Sequence, residues 1–284
     1  MPELPSLDQF NHMIVKVPSL GDSGWIDITD KQLLPATLPP EDLWEREALV
    51  LDPKAPHLEK LPGIPVGSAS IVSQRTVSPE GASDWRVEET LTAGGYYGGW
   101  LRSSFSGEDS ATRTAHLQRM LDGYLSTRVQ EATFEGMDDP EKPATVHAVY
   151  LVRNAMGRNG AECSAPLPAA WEKDYLQISF IKKRQTPFRF RMPFEMTSNV
   201  TVQIPGAPKE ASLATLQGEG HSKYCDWEMK PSVQSDGASS KVSLHFHFLA
   251  HPGTHGPEEY TPFYESWEQA HTAWDARLVW PQGP

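Results

Sequence analysis

Apolar and polar residues alternate with a period of two along much of the chain. Trp85, Val87 and Leu91 alternate with Arg86, Glu88 and Thr90. Leu176, Ile178 and Phe180 alternate with Gln177 and Ser179. Phe188, Phe190, Met192 and Phe194 alternate with Arg189 and Arg191. Val200, Val202 and Ile204 alternate with Thr201 and Gln203, and Val242, Leu244, Phe246 and Phe248 with Ser243, His245 and His247. Successive side chains of a strand point to opposite sides, so each pattern predicts a strand with one buried and one wetted face, as in an antiparallel sheet or sandwich. Residues 146–152 form a nearly unbroken apolar run and read as a central strand. Two stretches switch to helical spacing. Over 108–128, Leu117, Met120, Leu121, Tyr124 and Leu125 share one stripe, and Ser106 with Asp109 resembles a capping box. Over 262–274 the stripe is Phe263, Trp267 and Trp274, with Thr261 as the expected cap and Pro262 at the first helical position. A last strand is expected at 277–280. The expected fold class is mainly β: antiparallel β-sandwich-like domains with two short helices.

Breaks in the pattern divide the chain. A Pro-bearing connector at 34–40 separates a short first region, 1–31, from a β-rich domain with one helix at 32–143, and a β-sandwich-like domain follows at 144–284. The segments 154–168 and 234–240 read as exposed loops. The 25 prolines and 21 glycines suit short strands joined by turns. A hydrophobic share of 38% with 22% charged residues is that of a globular protein. The net charge of −12 argues against nucleic acid or an anionic membrane as partner, since both reward Lys/Arg patches. No run of 18 apolar residues is present, so no membrane span is expected, and the first residues lack the basic and apolar regions of a signal peptide.

Candidate chemistry is concentrated at the start. His12 opens the apolar strand of residues 10–15, and Asp27 closes the next, just after Gly24-Trp25. Adjacent strands would set imidazole and carboxylate side by side, as when an Asp orients a His base. A nucleophile is missing from this region. Only eleven residues precede His12, and none is Cys. The stretch from His12 to Asp27 resembles the second half of a transglutaminase-like, papain-related core: His, an alternating strand, a turn at 18–23, Gly-Trp, then Asp27-Ile28-Thr29, with Ile28 in place of the usual Pro. Leu4 to Leu7, the strand Ala48 to Leu51, and Pro257 to Tyr260 resemble parts of bacterial members of that family with flanking β-rich domains.

The resemblance implies a two-strand remnant of an α+β transglutaminase-like core ahead of the β domains. It implies a residual dyad of His12 as base and Asp27 as orienter, shielded by Trp25, in a chain that begins after the Cys-bearing half. The parent would carry out thiol acyl transfer or amide hydrolysis, and its home would be the periplasm or the extracellular space. Cys163 and Cys225 follow His12, in the wrong order to serve as the thiol. The expected function is non-catalytic, with the β domains docking or recognising a protein or peptide partner and the uncovered N-terminal edge prone to association. Two alternatives are a self-standing module for carbohydrate or protein ligands and an enzyme completed by a Cys-bearing second chain.

Other residues carry weaker signals. Tyr96, Tyr97 and Trp100, set among glycines at 94–99, form a possible ligand face or else complete a core beside a hairpin. His245, His247, His251 and His255 offer imidazoles for a metal, but strand alternation explains the first two, and no metal site is expected. Lys182 to Arg184 with Arg189 and Arg191 reads as a solvated face. Asn199-Val200-Thr201 matches a glycosylation sequon. Phosphate loops, serine elbows and zinc helices are absent, and no cofactor is expected.

Overall fold

The computed structural model describes residues 10, 12–27, 38, 42–65, 67–123, 125–168, 172, 176, 178–181 and 183–281. Its centre is an eight-stranded sheet built from two antiparallel halves. The first half is β5 (Ala69–Glu80), β6 (Asp84–Gly94), β7 (Thr127–Glu135) and β8 (Ala144–Val152). The second is β12 (Phe194–Pro205), β13 (Gly218–His221), β14 (Cys225–Ser235) and β15 (Ser239–Ala250). The strands lie in the order β13-β14-β15-β12-β5-β6-β8-β7. The halves meet through the one parallel pair, β12 with β5, in register from Phe194 opposite Ala69 to Val202 opposite Val77. The mainly β class read from the alternation is the class observed. The expected boundary at 143/144 falls between β7 and β8, which are neighbours in this one sheet.

The alternating residues sort onto two faces. Ile71, Val77, Trp85, Val87, Leu91, Val146, Tyr150, Met196, Val200, Val242, Phe246 and Phe248 point inward and are buried. Helices and a small sheet cover them, where a sandwich would place a second large sheet. Helix α1 (Gly95–Phe105) packs on β5, β6 and β8, and α2 (Ser110–Asp122) on β7. After the short helix α3 (Glu210–Thr215), helix α4 (Tyr260–Trp274) packs on β13 and β14. Its apolar stripe meets the second half: Trp267 stands 4.8 Å from Phe248 and Trp274 4.9 Å from Phe246. Strands β9 (Gly157–Asn159), β10 (Glu162–Pro166) and β17 (Arg277–Pro281) form a three-stranded sheet that seats Trp280 5.9 Å from Trp85.

Several expected elements shift. Asp109 caps α2, its side chain accepting from the Thr112 amide at 2.8 Å, and the helix ends at Asp122, so Arg128 belongs to β7. Thr261 lies inside α4, which a 3-10 turn at Pro257–Glu259 precedes. The run 146–152 is the next-to-edge strand β8, where Tyr150 and its alternate neighbours face inward. Leu176 is helical and buried, and 178–180 has no regular structure, so no strand forms among the described residues of 176–180. The Phe188 to Phe194 pattern splits into β11 (Phe188–Phe190), paired with β16 (Gly253–His255), and the start of β12. Segment 154–168 holds the β9–β10 hairpin with Cys163, Ala165 and Leu167 buried, because β17 supplies a partner that its own composition does not announce.

Candidate functional site

Near the N-terminus, β1 (Val15–Lys16) pairs with β2 (Trp25–Ile26) across a 3-10 turn at Pro18–Gly24. The Val17 amide donates to the Gly24 carbonyl at 2.7 Å, and a Cβ on Gly24 would fall 2.3 Å from the Val17 oxygen, so only glycine fits ahead of Trp25. This hairpin brings the predicted dyad together: His12 Nε2 lies 2.6 Å from Asp27 Oδ2, with the carboxylate side chain 1% exposed. Trp25 is buried, and Lys16 Nζ stands 5.0 Å over its ring. Lys16 also hydrogen-bonds Glu59 on β4 (His57–Lys60), the partner of β3 (Glu47–Val50), and holds the Glu59 carboxyl below its usual range against the opposing effect of burial. The pair orients an imidazole, but no thiol reaches it. Cys163 and Cys225 are free, buried, and not hydrogen-bond partners of His12. Burial pushes the Cys225 thiol up to about 11, the opposite of an activated nucleophile. Exposed Met13, Val15 and Leu20 lie on the same segment. Residues 4–7 and 28–31 lie outside the described residues.

Tyr96, Tyr97 and Trp100 do not form a common ligand face, because residues 95–99, with Gly95, Gly98 and Gly99, lie in α1 and not in a hairpin. Gly95 starts this helix at φ +54°, and a Cβ there would fall 1.8 Å from the Ser68 carbonyl. On the helix, Tyr96 turns inward and its hydroxyl accepts from Trp44 Nε1. Tyr97 packs 5.1 Å from Phe194, and Trp100 alone of the three is exposed.

The four candidate histidines diverge as well. His245 and His247 lie on the outer face of β15, His251 Nε2 sits 2.9 Å from Asp226 Oδ2, and His255 is buried against the rings of Phe188 and Tyr224. Among the described residues no group of His, Cys, Asp and Glu is arranged to hold a metal ion. The basic run is engaged elsewhere: Arg184 lies over Phe188 and Tyr260, Arg189 pairs with Glu45, and Arg191 Nη1 donates to the Asp42 carbonyl. Lys182 is outside the described residues.

A second feature emerges only from the strand order. The outer face of the eight-stranded sheet carries half-exposed and exposed side chains with no helix packed over it among the described residues, and register aligns its polar residues in rows. One row runs Lys230, His245, Asn199, Gln74, Thr90, His147, Thr133 across seven strands. Cross-strand bonds fix the side chains: His245 Nδ1 is 2.9 Å from Asn199 Oδ1, and Thr90 Oγ1 is 3.0 Å from His147 Nδ1. The sheet curls around a concavity of about 620 Å³ lined by Gln74, Thr76, Glu88, Thr90, Glu131 and His147 among others. A register shift between Val129 and Glu131 bends the edge strand β7 beside it. In the sequence this face is only the polar half of each alternation. Its signal is the dominance of Thr, Asn, Gln and His over Lys and Glu, and it becomes a surface only once the strands are placed side by side. No helix among the described residues is long and apolar enough to cross a membrane. Comparison of the chain with protein-family models, with curated proteins and with solved structures finds no match.

Proposed function

We propose that this chain is a non-catalytic recognition module, that a protein or peptide partner docks on the open face of the eight-stranded sheet, and that the β1–β2 hairpin carries two members of a transglutaminase-like triad without its thiol. The observation that carries the reading is the uncovered, concave face of hydrogen-bonding side chains, held in rows by register and backed by a buried apolar layer. A rigid sheet presents such groups at little entropic cost on binding. The 2.6 Å approach of His12 to Asp27 supports the transglutaminase-like reading of the hairpin, and the two buried cysteines support the absence of acyl transfer.

The test is a display selection of random peptides against the intact chain, followed by binding to a Thr76→Trp/Thr90→Trp variant whose indoles fill the concavity. Selected peptides should lose at least tenfold in affinity. Peptides that bind both forms equally would sink the docking reading. Incubation with a glutamine-containing peptide and an amine should yield no cross-linked product by mass spectrometry, and a product abolished by His12→Ala would overturn the non-catalytic part.

A further inference from the structure

We infer that the partner held on the open face is a cationic polypeptide segment, and that mild acidification releases it. This rests on the docking reading above. On the outward positions of the eight strands, nine carboxylates face four Lys and Arg side chains, Lys230, Lys241, Arg86 and Arg128. Two of the four are already spent on the face itself: Lys230 Nζ bonds Glu228 at 2.5 Å, and Arg86 pairs with Glu88. A surface of this sign attracts and orients a positively charged segment and repels an acidic one.

Every imidazole of this face stands beside one of those carboxylates. His247 Nε2 is 3.1 Å from Glu195 Oε1, His245 Nε2 is 3.6 Å from Glu228 Oε1, and His147 Nε2 is 3.8 Å from Glu135 Oε1. At the β13–β14 end, His221 and His251 flank the two oxygens of Asp226 at 3.1 and 2.9 Å. The further groups facing them are few. His245 also meets Lys230 and Asn199 across the sheet, His247 meets Thr197 and Glu228, and His147 meets Thr90 and Thr133. Glu228, shared by Lys230, His245 and His247, lies below its usual range, chiefly through the Lys230 hydrogen bond.

A neutral imidazole leaves its neighbour's negative charge available to a ligand. A protonated one neutralises that charge. The cationic segment and protons therefore compete for the same carboxylates, and each must weaken the other equally. Five imidazoles would offset the excess of five carboxylates. Histidine is the side chain that makes this change between about pH 5 and 8.

The probes are a fluorescent deca-lysine and a deca-glutamate, titrated with the whole chain at pH 7.5 and 5.5 in low salt. Deca-lysine should bind at pH 7.5 and weaken at least tenfold at pH 5.5, and deca-glutamate should not bind at pH 7.5. A His147→Asn/His245→Asn/His247→Asn variant, with folding confirmed by near-ultraviolet circular dichroism, should reduce the pH effect to under threefold. A Thr76→Arg/Thr90→Arg pair should abolish binding, whereas Ser103→Arg/Ala111→Arg on the helical side should leave it intact. Equal deca-lysine affinity at both pH values would overturn acid release. Loss with the Ser103/Ala111 pair as large as with the Thr76/Thr90 pair would show charge attraction without a site. If the display selection yields face-dependent peptides that are neutral or acidic, docking stands and this inference falls. If no ligand depends on the face, both fall.

Discussion

Arg75 Nη1 lies 2.7 Å from Glu172 Oε1, with both side chains buried at the centre of the sheet's inner face. The contact is bidentate, Nη2 reaching Glu172 Oε2 at 3.0 Å, while Nε donates to Glu89 Oε1 at 2.7 Å. Nη1 also donates to the Pro168 carbonyl, Tyr150 donates to Glu89, and Ser198 donates to Glu172. One guanidinium thus ties β5 and β6 to Glu172 and to the Pro168 carbonyl. Burial works against the charge on Arg75, but the two carboxylates outweigh it and raise its pKa. The same burial, with Glu89 beside it, drives the Tyr150 hydroxyl well above its ordinary value.

Replacing Arg75 with Met leaves two uncompensated carboxylates in the core. The expected cost is about 3–5 kcal/mol in urea unfolding. Glu172→Gln keeps an acceptor for Arg75 and Ser198 and leaves Arg75 balanced by Glu89, so it should cost under about 1.5 kcal/mol. Equal losses for the two variants would contradict the charge accounting.

At the β6–α1 junction, Gly95→Ala combines a left-handed φ of +54° with a clash against the Ser68 carbonyl. A loss of at least about 2 kcal/mol is expected. Gly107, also left-handed at +71°, has open space around its Cβ position, so Gly107→Ala should cost only about 1 kcal/mol. Thermal unfolding of the two variants separates steric clash from backbone strain.

The acid limb of the stability curve should carry the signature of Glu259. The Lys223 ammonium, then the Gly256 backbone and lastly His255 at 3.2 Å, hold its carboxyl at about 2 against the opposing effect of burial. Because the folded value lies below the ordinary 4.5, the stabilisation is complete above about pH 4.5 and is lost as pH falls toward 2. Glu259→Gln should therefore lower the urea midpoint at pH 7 and flatten its decline between pH 4.5 and 2.5. An unchanged slope would show that other carboxylates set the acid limb.

Local pattern alone determined the strands with clean alternation, β6, β12 and β15, the apolar stripe of α4, and the pairing of His12 with Asp27. Each depends on neighbours close in sequence: period two for a strand, three to four for a helix, and a short turn whose Gly24 admits no side chain. Tertiary structure decided the rest. Residues 95–99 became helix because Gly95 could take a conformation and a backbone contact that no pattern records. Leu176 is helical and buried rather than part of a strand, shortly after Glu172, which Arg75 binds from almost a hundred residues away in the chain. The open face was beyond local reading for the same reason. His147, Gln74 and His245 fall into one row only through the order of five strands, β15-β12-β5-β6-β8, and that order is set by which apolar faces can be covered together, a property of the whole chain.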